Sequence, residues 1–130
     1  MSKTIVNVPV ISDGIKKIGV PLSPVVKANG FVFVSGTPPL DLKTGAIVRG
    51  DIDTQTDLVM QNVKRALEAA GSSLEKVVKV NIYAANAAYY GVINKVYGKY
   101  FQKDPPARTF VPVAGWPMEF DIEIECTALA

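Results

Sequence analysis

The sequence predicts a single α+β domain, residues 1–130, in which two helices cover one face of a mixed, mostly antiparallel sheet. Three observations support this fold class. Asn29-Gly30 separates two apolar runs, which is the strongest short signal for a β-hairpin. Two long segments carry apolar residues at helical spacing, and the end of the chain alternates apolar and polar residues as strands do. A sheet covered on one face leaves the other bare, so we also expect oligomerisation.

The first half of the chain contains a hairpin, a loop and a helix. The predicted hairpin joins strands at 25–28 and 31–35, and the segment 36–45 has the glycine and proline content of a loop. A helix is predicted from about Asp53 to Ala70, because its apolar residues form one stripe. Gly71 follows at the position where a helix-terminating glycine is expected.

A strand and a second helix come next. Residues 77–83 are rich in valine and isoleucine, which predicts a strand. The second helix is predicted from about Ala87 to Phe101, with aromatic and branched residues along one stripe. The segment 104–106, Asp-Pro-Pro, ends this helix because proline cannot continue it.

The last part of the chain contains a cation and several carboxylates on alternating strands. Two such strands flank the turn 114–119, and we predict that they pair as a hairpin. Matching their apolar faces places Arg108 opposite Glu125 and Phe110 opposite Glu123. A fixed cation beside carboxylates on a rigid ribbon is a candidate small-molecule site.

Two interpretations of this ribbon are open at this point. Acidic residues on one side of a strand are typical of a solvated sheet face, and Arg108 is then part of a surface ion pair worth little energy. Phe110, Pro112 and Trp116 argue against an open solvent face, because aromatic residues and proline surround the charges. A partly buried arginine beside aromatic rings binds a carboxylate bidentately and strongly.

Other polar and aromatic residues give weaker signals. Asn94 faces solvent or reaches a neighbouring pocket, and Gly36 belongs to a plain turn or exposes backbone N–H groups to a ligand. Cys126 alternates with isoleucines and is interpreted as a core residue. Helix packing is the preferred interpretation of the tyrosine cluster, which comprises Tyr89, Tyr90, Tyr97 and Tyr100.

The composition narrows the possible chemistry. The chain contains no histidine and one cysteine. Zinc sites of the His/Cys type and nucleophile systems that need histidine are therefore excluded within one chain. No glycine-rich phosphate-binding motif occurs. We expect no metal and no other cofactor, so any catalysis must use arginine, carboxylates, hydroxyls, backbone groups and water.

Charge and hydropathy limit the partners and the location. The net charge of +2 is small and evenly spread, so we expect no nucleic-acid partner. No apolar run reaches the roughly eighteen residues of a membrane span. A single cysteine suits a reducing compartment, and the N-terminal residues lack the apolar core of a signal peptide. We therefore expect a cytoplasmic protein.

Several short motifs, taken together and in order, resemble one family. The chain is similar to the Rid family, also called YjgF, the reactive intermediate deaminases, from about Pro21 to Ala128. Each motif is weak alone, but the set is specific. The motifs are Val26-Lys27-Ala28, Phe33-Val34-Ser35-Gly36, Asp41-x-x-Thr44-Gly45, Asn62-Val63-Lys64, Ala69-Ala70-Gly71, Pro106-Ala107-Arg108-Thr109 and Ile122-Glu123-Ile124-Glu125.

The resemblance implies a fold, an assembly and a reaction. It implies a homotrimer with a chorismate-mutase-like fold and with its sites in clefts between subunits. Members of the family hydrolyse enamines and imines, such as 2-aminoacrylate and its imine tautomer, to ammonia and a 2-keto acid. The resemblance gives Arg108 the role of holding the substrate carboxylate and Glu123 the role of positioning the attacking water.

The resemblance also implies pocket roles for other residues. Phe110 stands at a position, usually cysteine, whose backbone contacts the water or the substrate nitrogen. Gly36 and Asn94 match pocket residues, and Asn94 is expected to reach across the subunit boundary. Burial is expected to raise the pKa of Glu123, and Arg108 is expected to lower it.

The chain departs from the commonest family pattern at one notable position. Leu22 replaces a tyrosine that lines the site, and with Phe110 and Trp116 it makes the pocket more apolar. A bulkier, more apolar 2-imino acid or a pathway-specific enamine is therefore expected in place of 2-aminoacrylate. Two alternatives remain: a non-catalytic module that binds small carboxylates such as 2-keto acids, and, more remotely, a ribonuclease, for which the chain lacks a histidine pair and a basic stripe.

Overall fold

The computed structural model describes residues 2–130, which form one six-stranded sheet and three α-helices. Two short 3₁₀ turns, at Leu74–Lys76 and Ala87–Tyr89, precede a strand and a helix. Within the described range, no helix is both long and apolar enough to cross a membrane. In chain order the elements are β1 Thr4–Val6, α1 Ile11–Ile18, β2 Val25–Ala28, β3 Phe31–Thr37, α2 Ile52–Ala69, β4 Val77–Ala84, α3 Tyr90–Tyr100, β5 Ala107–Pro112 and β6 Ile122–Leu129.

The strands lie in the order β1-β2-β3-β6-β4-β5. All neighbouring pairs are antiparallel except β4 and β5, which are parallel. The mixed, mostly antiparallel sheet predicted from the sequence is therefore confirmed. The predicted Asn29-Gly30 hairpin is also confirmed, because both residues have positive φ, 50° and 81°, as a tight turn between twisted strands requires.

Helices α2 and α3 pack on the same face of the sheet and bury its core. Residues Val59, Val63 and Leu67 of α2 are buried against sheet residues such as Val32 and Ile124. The two predicted helices and their common face are thus confirmed. The sequence analysis missed β1 and α1, because both are short and because α1 begins without a capping side chain.

The predicted hairpin between the last two strands is wrong. β5 and β6 do not pair, because β4 lies between them, antiparallel to β6 and parallel to β5. The chain passes from β4 through α3 to β5 as a crossover connection, which is how parallel neighbours are joined. Val80 consequently has Arg108 on one side and Cys126 on the other.

This pairing reverses the predicted face of β5. Phe110, which was expected opposite Glu123, lies beside Ile82 on the helix-covered face and packs against the core. Thr109 and Val111, which were expected on the core side, lie on the opposite face, which α2 and α3 do not cover and which is called the helix-free face below. A shift of one residue moves every side chain of a strand to the other face, so the wrong partner strand gave the wrong face.

A buried glutamine ties helix α2 to the start of β6. Gln55 donates from Nε2 to the Gly50 carbonyl and to Asp121 Oδ2, each at 2.9 Å, and its Oε1 accepts from the Asp121 backbone N–H at 2.9 Å. The side chain is 2% exposed. These three hydrogen bonds hold in place the segment that leads directly into Glu123.

We expect Gln55→Ala to lower the free energy of unfolding by about 1–3 kcal/mol, because it removes three hydrogen bonds made by a buried amide, one of them to the Asp121 carboxylate. Gln61→Ala is the matched control, since Gln61 lies on the same helix and makes an exposed bond to Asp57; its effect should stay within about 0.5 kcal/mol. Urea denaturation at fixed protein concentration measures both. Equal, small changes in the free energy of unfolding for the two variants would contradict the stabilising role of the Gln55 hydrogen bonds.

Candidate functional site

The two residues with the most important expected roles lie on opposite faces of the sheet. Arg108 lies on the helix-covered face, because its neighbour on β4 is the buried Val80. Glu123 pairs with Tyr83 and therefore lies on the helix-free face. Paired residues share a face and successive residues alternate, so the odd step from Val80 to Tyr83 changes the face. Within one chain, Arg108 and Glu123 do not face a common pocket.

Arg108 lies against aromatic rings. Its Cζ atom is 5.0 Å from the ring centroid of Tyr97 and 5.7 Å from that of Tyr90, within the range in which a ring face attracts a guanidinium. One guanidinium nitrogen donates a long hydrogen bond, 3.4 Å, to the Tyr90 hydroxyl. The Tyr90 ring meets Phe110 edge-on at 4.9 Å. Among residues 2–130, no carboxylate lies within ion-pair distance of Arg108, so its remaining N–H groups are available to an anion.

Two buried polar atoms on α3 lack partners. In the part of the chain that the structure describes, neither Asn94 Oδ1 nor the Tyr97 hydroxyl has a hydrogen-bond partner. Asn94 lies one turn from both Tyr90 and Tyr97, so the three share one side of the helix. Burial raises the pKa of Tyr97 to about 12, although the charge of Arg108 opposes the rise. Buried polar groups are normally paired, so these atoms indicate a group that one chain does not supply.

The tyrosines of α3 divide between packing and the candidate site. Tyr100 packs as predicted, and its hydroxyl donates to Asp57 Oδ1 at 2.6 Å. Tyr97 also packs in the core, as predicted. In addition, Tyr97 and Tyr90 contact Arg108 through their rings, which the sequence analysis missed. The signal that could have found them is that both tyrosines follow the helical spacing of Asn94.

Glu123 lies against a bulge in β3. The pairing of β3 with β6 shifts between Val34 and Thr37, and Gly36 lies within the shift. A Cβ atom built on Gly36 would overlap the Glu123 carboxylate, whose Cδ atom would be 3.3 Å away. Position 36 must therefore be glycine for the carboxylate to occupy this place. The structure thus brings Gly36 and Glu123 together.

Burial dominates the electrostatics of Glu123. Burial raises the pKa of its carboxyl group, the hydrogen bond from the Trp116 indole lowers it, and the charge of Glu125 raises it further. Arg108 is not among the groups that shift this pKa, so the expected lowering by Arg108 does not occur within one chain. The physical reason is that Arg108 lies on the other face of the sheet. A carboxyl group with a raised pKa is suited to proton transfer nearer to neutral pH.

Glu125 is occupied by hydrogen bonds on the helix-free face. Its Oε1 accepts from the Tyr83 hydroxyl and, at 3.2 Å, from Asn81 Nδ2. The predicted position of Arg108 opposite Glu125 is wrong, because the observed neighbour of Glu125 on β4 is Asn81. These bonds leave Glu125 less available to a ligand than Glu123 is.

Leu22 and Trp116 lie near the glutamate: Leu22 lines the same cavity, and Trp116 makes the hydrogen bond described above. Leu22 is 47% exposed and, with Gly36 and Glu123, lines a cavity of about 300 Å³. Trp116 stacks on Phe120 with ring centroids 4.6 Å apart. Two groups of residues can therefore be defined: the glutamate half-site, comprising Glu123, Gly36, Leu22 and Trp116, and the arginine half-site, comprising Arg108, Phe110, Asn94, Tyr90 and Tyr97.

The two half-sites offer complementary chemistry. The arginine half-site presents a guanidinium and an amide, which suit a carboxylate ligand. The glutamate half-site presents a carboxylate that can exchange a proton with water or substrate. Residues 2–130 contain no group of three or more His, Cys, Asp or Glu side chains placed to hold a metal ion.

Comparison with known proteins gives a consistent set of relatives. The family model described as Endoribonuclease L-PSP matches residues 15–130. A RutC family protein of Pyrococcus horikoshii is 46% identical over 113 residues, which cover 87% of this chain and 89% of that protein. The chloroplastic Reactive Intermediate Deaminase A of Arabidopsis thaliana is 40% identical over 108 residues, which cover 83% of this chain and 58% of that protein.

A solved structure also resembles this chain. The crystal structure of E. coli TdcF with bound serine has a TM-score of 0.79 and 33% sequence identity. The match covers 85% of this chain and 88% of that one.

We expect Glu123→Gln to raise the melting temperature at pH 7. Because folding raises the pKa of Glu123, the folded state binds this proton more tightly than the unfolded state does. Stability is therefore lost as pH rises from the unfolded pKa through the folded pKa, and it stays lower above that range. Glutamine does not ionise, so it avoids this loss of stability. Its Oε1 still accepts a hydrogen bond from Trp116.

Calorimetry between pH 4 and pH 8 measures this effect. The advantage of Glu123→Gln should disappear toward the acid end, where Glu123 is protonated in both states. Glu68→Gln, an exposed change on α2, is the control and should shift stability by less than about 0.5 kcal/mol. A lower melting temperature for Glu123→Gln at pH 7 would refute the claim that the ionised Glu123 carboxylate destabilises the folded protein.

Proposed function

Since this chain belongs to the Endoribonuclease L-PSP family, the YjgF or Rid family that its motifs indicate, we propose that it hydrolyses enamine and imine intermediates to ammonia and a 2-keto acid. One observation carries this proposal: a guanidinium without a carboxylate partner and a half-buried carboxylate with a raised pKa occupy separate half-sites. The naming of one relative as a deaminase supports the reaction. The serine bound to TdcF supports a ligand with carboxylate and amino groups on one carbon.

The helix-free face supports completion of the site by another copy of the chain. Phe31 pairs with Leu129 across β3 and β6, so the exposed apolar side chains are contiguous. The chain exposes 7372 Å², whereas a monomer of 14.0 kDa is expected to expose about 6,700 Å². An exposed apolar patch of this kind is typical of a subunit interface. The patch consists of Ile5, Phe31, Phe33 and Leu129.

A cyclic homotrimer joins the half-sites in clefts between subunits. Glu123 lies on the same helix-free face as the apolar patch, whereas Arg108 lies on the edge strand β5. A head-to-tail contact that closes into a ring brings the glutamate half-site of one copy to the arginine half-site of the next. Each cleft then contains one guanidinium and one carboxylate.

Arg108 anchors the substrate in this cleft. Its guanidinium donates two parallel hydrogen bonds to the substrate carboxylate, and the rings of Tyr90 and Tyr97 hold it in place. Asn94, whose Oδ1 has no partner within the described chain, is available to the substrate nitrogen. Fixing the carboxylate orients the neighbouring imine carbon and supplies the positional part of the rate enhancement.

Glu123 activates the water that attacks the imine. Its carboxylate takes a proton from water as the oxygen bonds to the imine carbon, giving a carbinolamine. That proton passes to the nitrogen, and the carbinolamine hydroxyl then gives up its own proton to the nitrogen through Glu123. As this second proton moves, the C–N bond breaks, the C=O bond forms, and ammonia leaves a 2-keto acid. One water is consumed per imine and no electrons are transferred. General acid–base catalysis of this kind contributes about 10²- to 10⁴-fold.

A second candidate function is binding of small carboxylates without turnover. Leu22 and Phe110 depart from the tyrosine and cysteine that the resemblance implies, and both contribute side chains to the half-sites. Calorimetric binding of 2-keto acids by a protein that accelerates no imine hydrolysis would favour this alternative. Ribonuclease activity, which the family description names, is not proposed here because no observation on the half-sites favours it.

Arg108→Ala and Glu123→Gln are each expected to lower kcat/KM for imine hydrolysis. Loss of the charged hydrogen bonds at Arg108 should cost about 10- to 100-fold, and loss of the base at Glu123 about 10²-fold or more. In the unaltered protein, activity should fall as pH falls through the raised pKa of Glu123. Ammonia release from enzymatically generated imines is the measurement. Arg65→Ala, an exposed change on α2, is the matched control. Full activity in Arg108→Ala would refute the proposed function.

Mixing the two inactive variants tests the cleft between subunits. When Arg108→Ala and Glu123→Gln chains are unfolded and refolded together, random assembly pairs an intact arginine half-site with an intact glutamate half-site in roughly a quarter of the clefts. The mixture should therefore regain roughly a quarter of the original activity, while each variant refolded alone keeps only its own low activity. No recovery in mixed oligomers, verified by mass spectrometry, would show that both residues act from one chain.

A further inference from the structure

The cavity beside Glu123 has almost entirely apolar walls. It has a volume of about 300 Å³, which is near the lower end for ligand pockets. Helix α1 forms one wall and the segment after β3 forms another. Gly36 and Glu123 line the same cavity. The principal apolar wall residues are Ile11, Ile15, Ile18, Leu40, Leu42 and Ile47.

The few hydroxyl groups of the wall are already engaged as donors. Ser35 Oγ donates to the Ser23 carbonyl at 2.7 Å, and Thr37 Oγ1 donates to the Ser35 carbonyl at 2.8 Å. Glu123 is therefore the one ionisable group that meets this space among the lining residues. A polar ligand group placed deep in the cavity would lose its hydration without gaining partners.

Backbone strain at the start of α1 shapes this wall. Val10 has φ of 70°, a conformation that β-branched residues rarely adopt. Its Cγ1 atom lies within 3.6 Å of a Cβ built on Gly45, a residue after β3 that also lines the cavity. Strain of this kind is retained where the surrounding structure imposes it and is frequent at ligand clamps.

We propose that this cavity receives the side chain of the substrate, and that the preferred substrates are 2-imino acids with long aliphatic or thioether side chains, like those derived from norleucine and methionine. This preference rests on the deaminase function proposed above. Glu123 is placed at the reacting carbon, so the space that continues from Glu123 is where the remaining substituent of that carbon extends. The imine of alanine and 2-aminoacrylate leave the cavity unfilled.

A series of imines of increasing length measures this preference. D-amino acid oxidase generates them from alanine, 2-aminobutyrate, norvaline, norleucine and methionine, and competition with semicarbazide reports their lifetimes. We expect kcat/KM to rise about fourfold for each CH₂ that enters the cavity. Acceleration of every member with no rise along the series would overturn the side-chain preference alone. Acceleration of none would refute the proposed deaminase function instead.

Gly14 offers a direct way to fill the cavity. It lies on α1, lines the cavity, and a Cβ built on it meets nothing within 4 Å. Gly14→Leu therefore adds an apolar side chain to the wall with open space around its Cβ atom, and leucine also favours the helix over glycine. We expect the ratio of kcat/KM for the norleucine imine to that for the alanine imine to fall at least about tenfold.

Gly98→Leu is the matched control. Gly98 lies on α3, a Cβ built on it also meets nothing within 4 Å, and it does not line the cavity. For Gly98→Leu, the ratio of kcat/KM for the norleucine imine to that for the alanine imine should equal the ratio of the unaltered protein. An unchanged ratio in folded Gly14→Leu would overturn the assignment of the cavity to the substrate. A changed oligomeric state with an unchanged ratio would assign the cavity to a subunit contact and would overturn it equally.

Discussion

The position of β4 between β5 and β6 is the constraint on which the candidate site depends. The parallel pairing of β4 with β5 places Arg108 beside the buried Val80, and the antiparallel pairing with β6 places Glu123 beside Tyr83. Because side chains alternate along a strand, these two registers fix the guanidinium and the carboxylate on opposite faces. A single chain can therefore hold both groups rigidly without letting them neutralise each other, which they would do if they met as an ion pair.

Several unfavourable local features of the chain lie at or beside the half-sites. Glu123 is half-buried with a raised pKa, and Asn94 Oδ1 and the Tyr97 hydroxyl are buried without partners in residues 2–130. The helix-free face exposes Phe31 and Phe33, which pack at a tilt against each other. The well-packed core of α2 and the central strands offsets these costs. Functional sites commonly combine local instability with a stable surrounding scaffold.

The Glu123 carboxylate and the Arg108 guanidinium are positioned by different parts of the structure. Positioning of the carboxylate depends on the backbone, because the β3 bulge and the absence of a side chain at Gly36 admit Glu123. Positioning of the guanidinium depends on side chains, because the rings of Tyr90 and Tyr97 hold Arg108. Imines are electrophilic and need little further assistance, so the proposed reaction requires few groups. The side chains that line the apolar cavity under α1 can then select the substrate.

Local patterns in the chain were enough to predict the α+β class, the Asn29-Gly30 turn and the two long helices, because these depend on spacing and turn chemistry within short segments. Its motifs also indicated the family and singled out Arg108 and Glu123. The strand that lies beside β5, and with it the face of each of these residues, depends on long-range packing. Strand partners are separated by crossovers that local patterns do not encode, and adjacent strands in the chain resemble a hairpin whether or not they pair. The roles of Tyr90 and Tyr97 and the cavity under α1 likewise arise only when distant segments pack together.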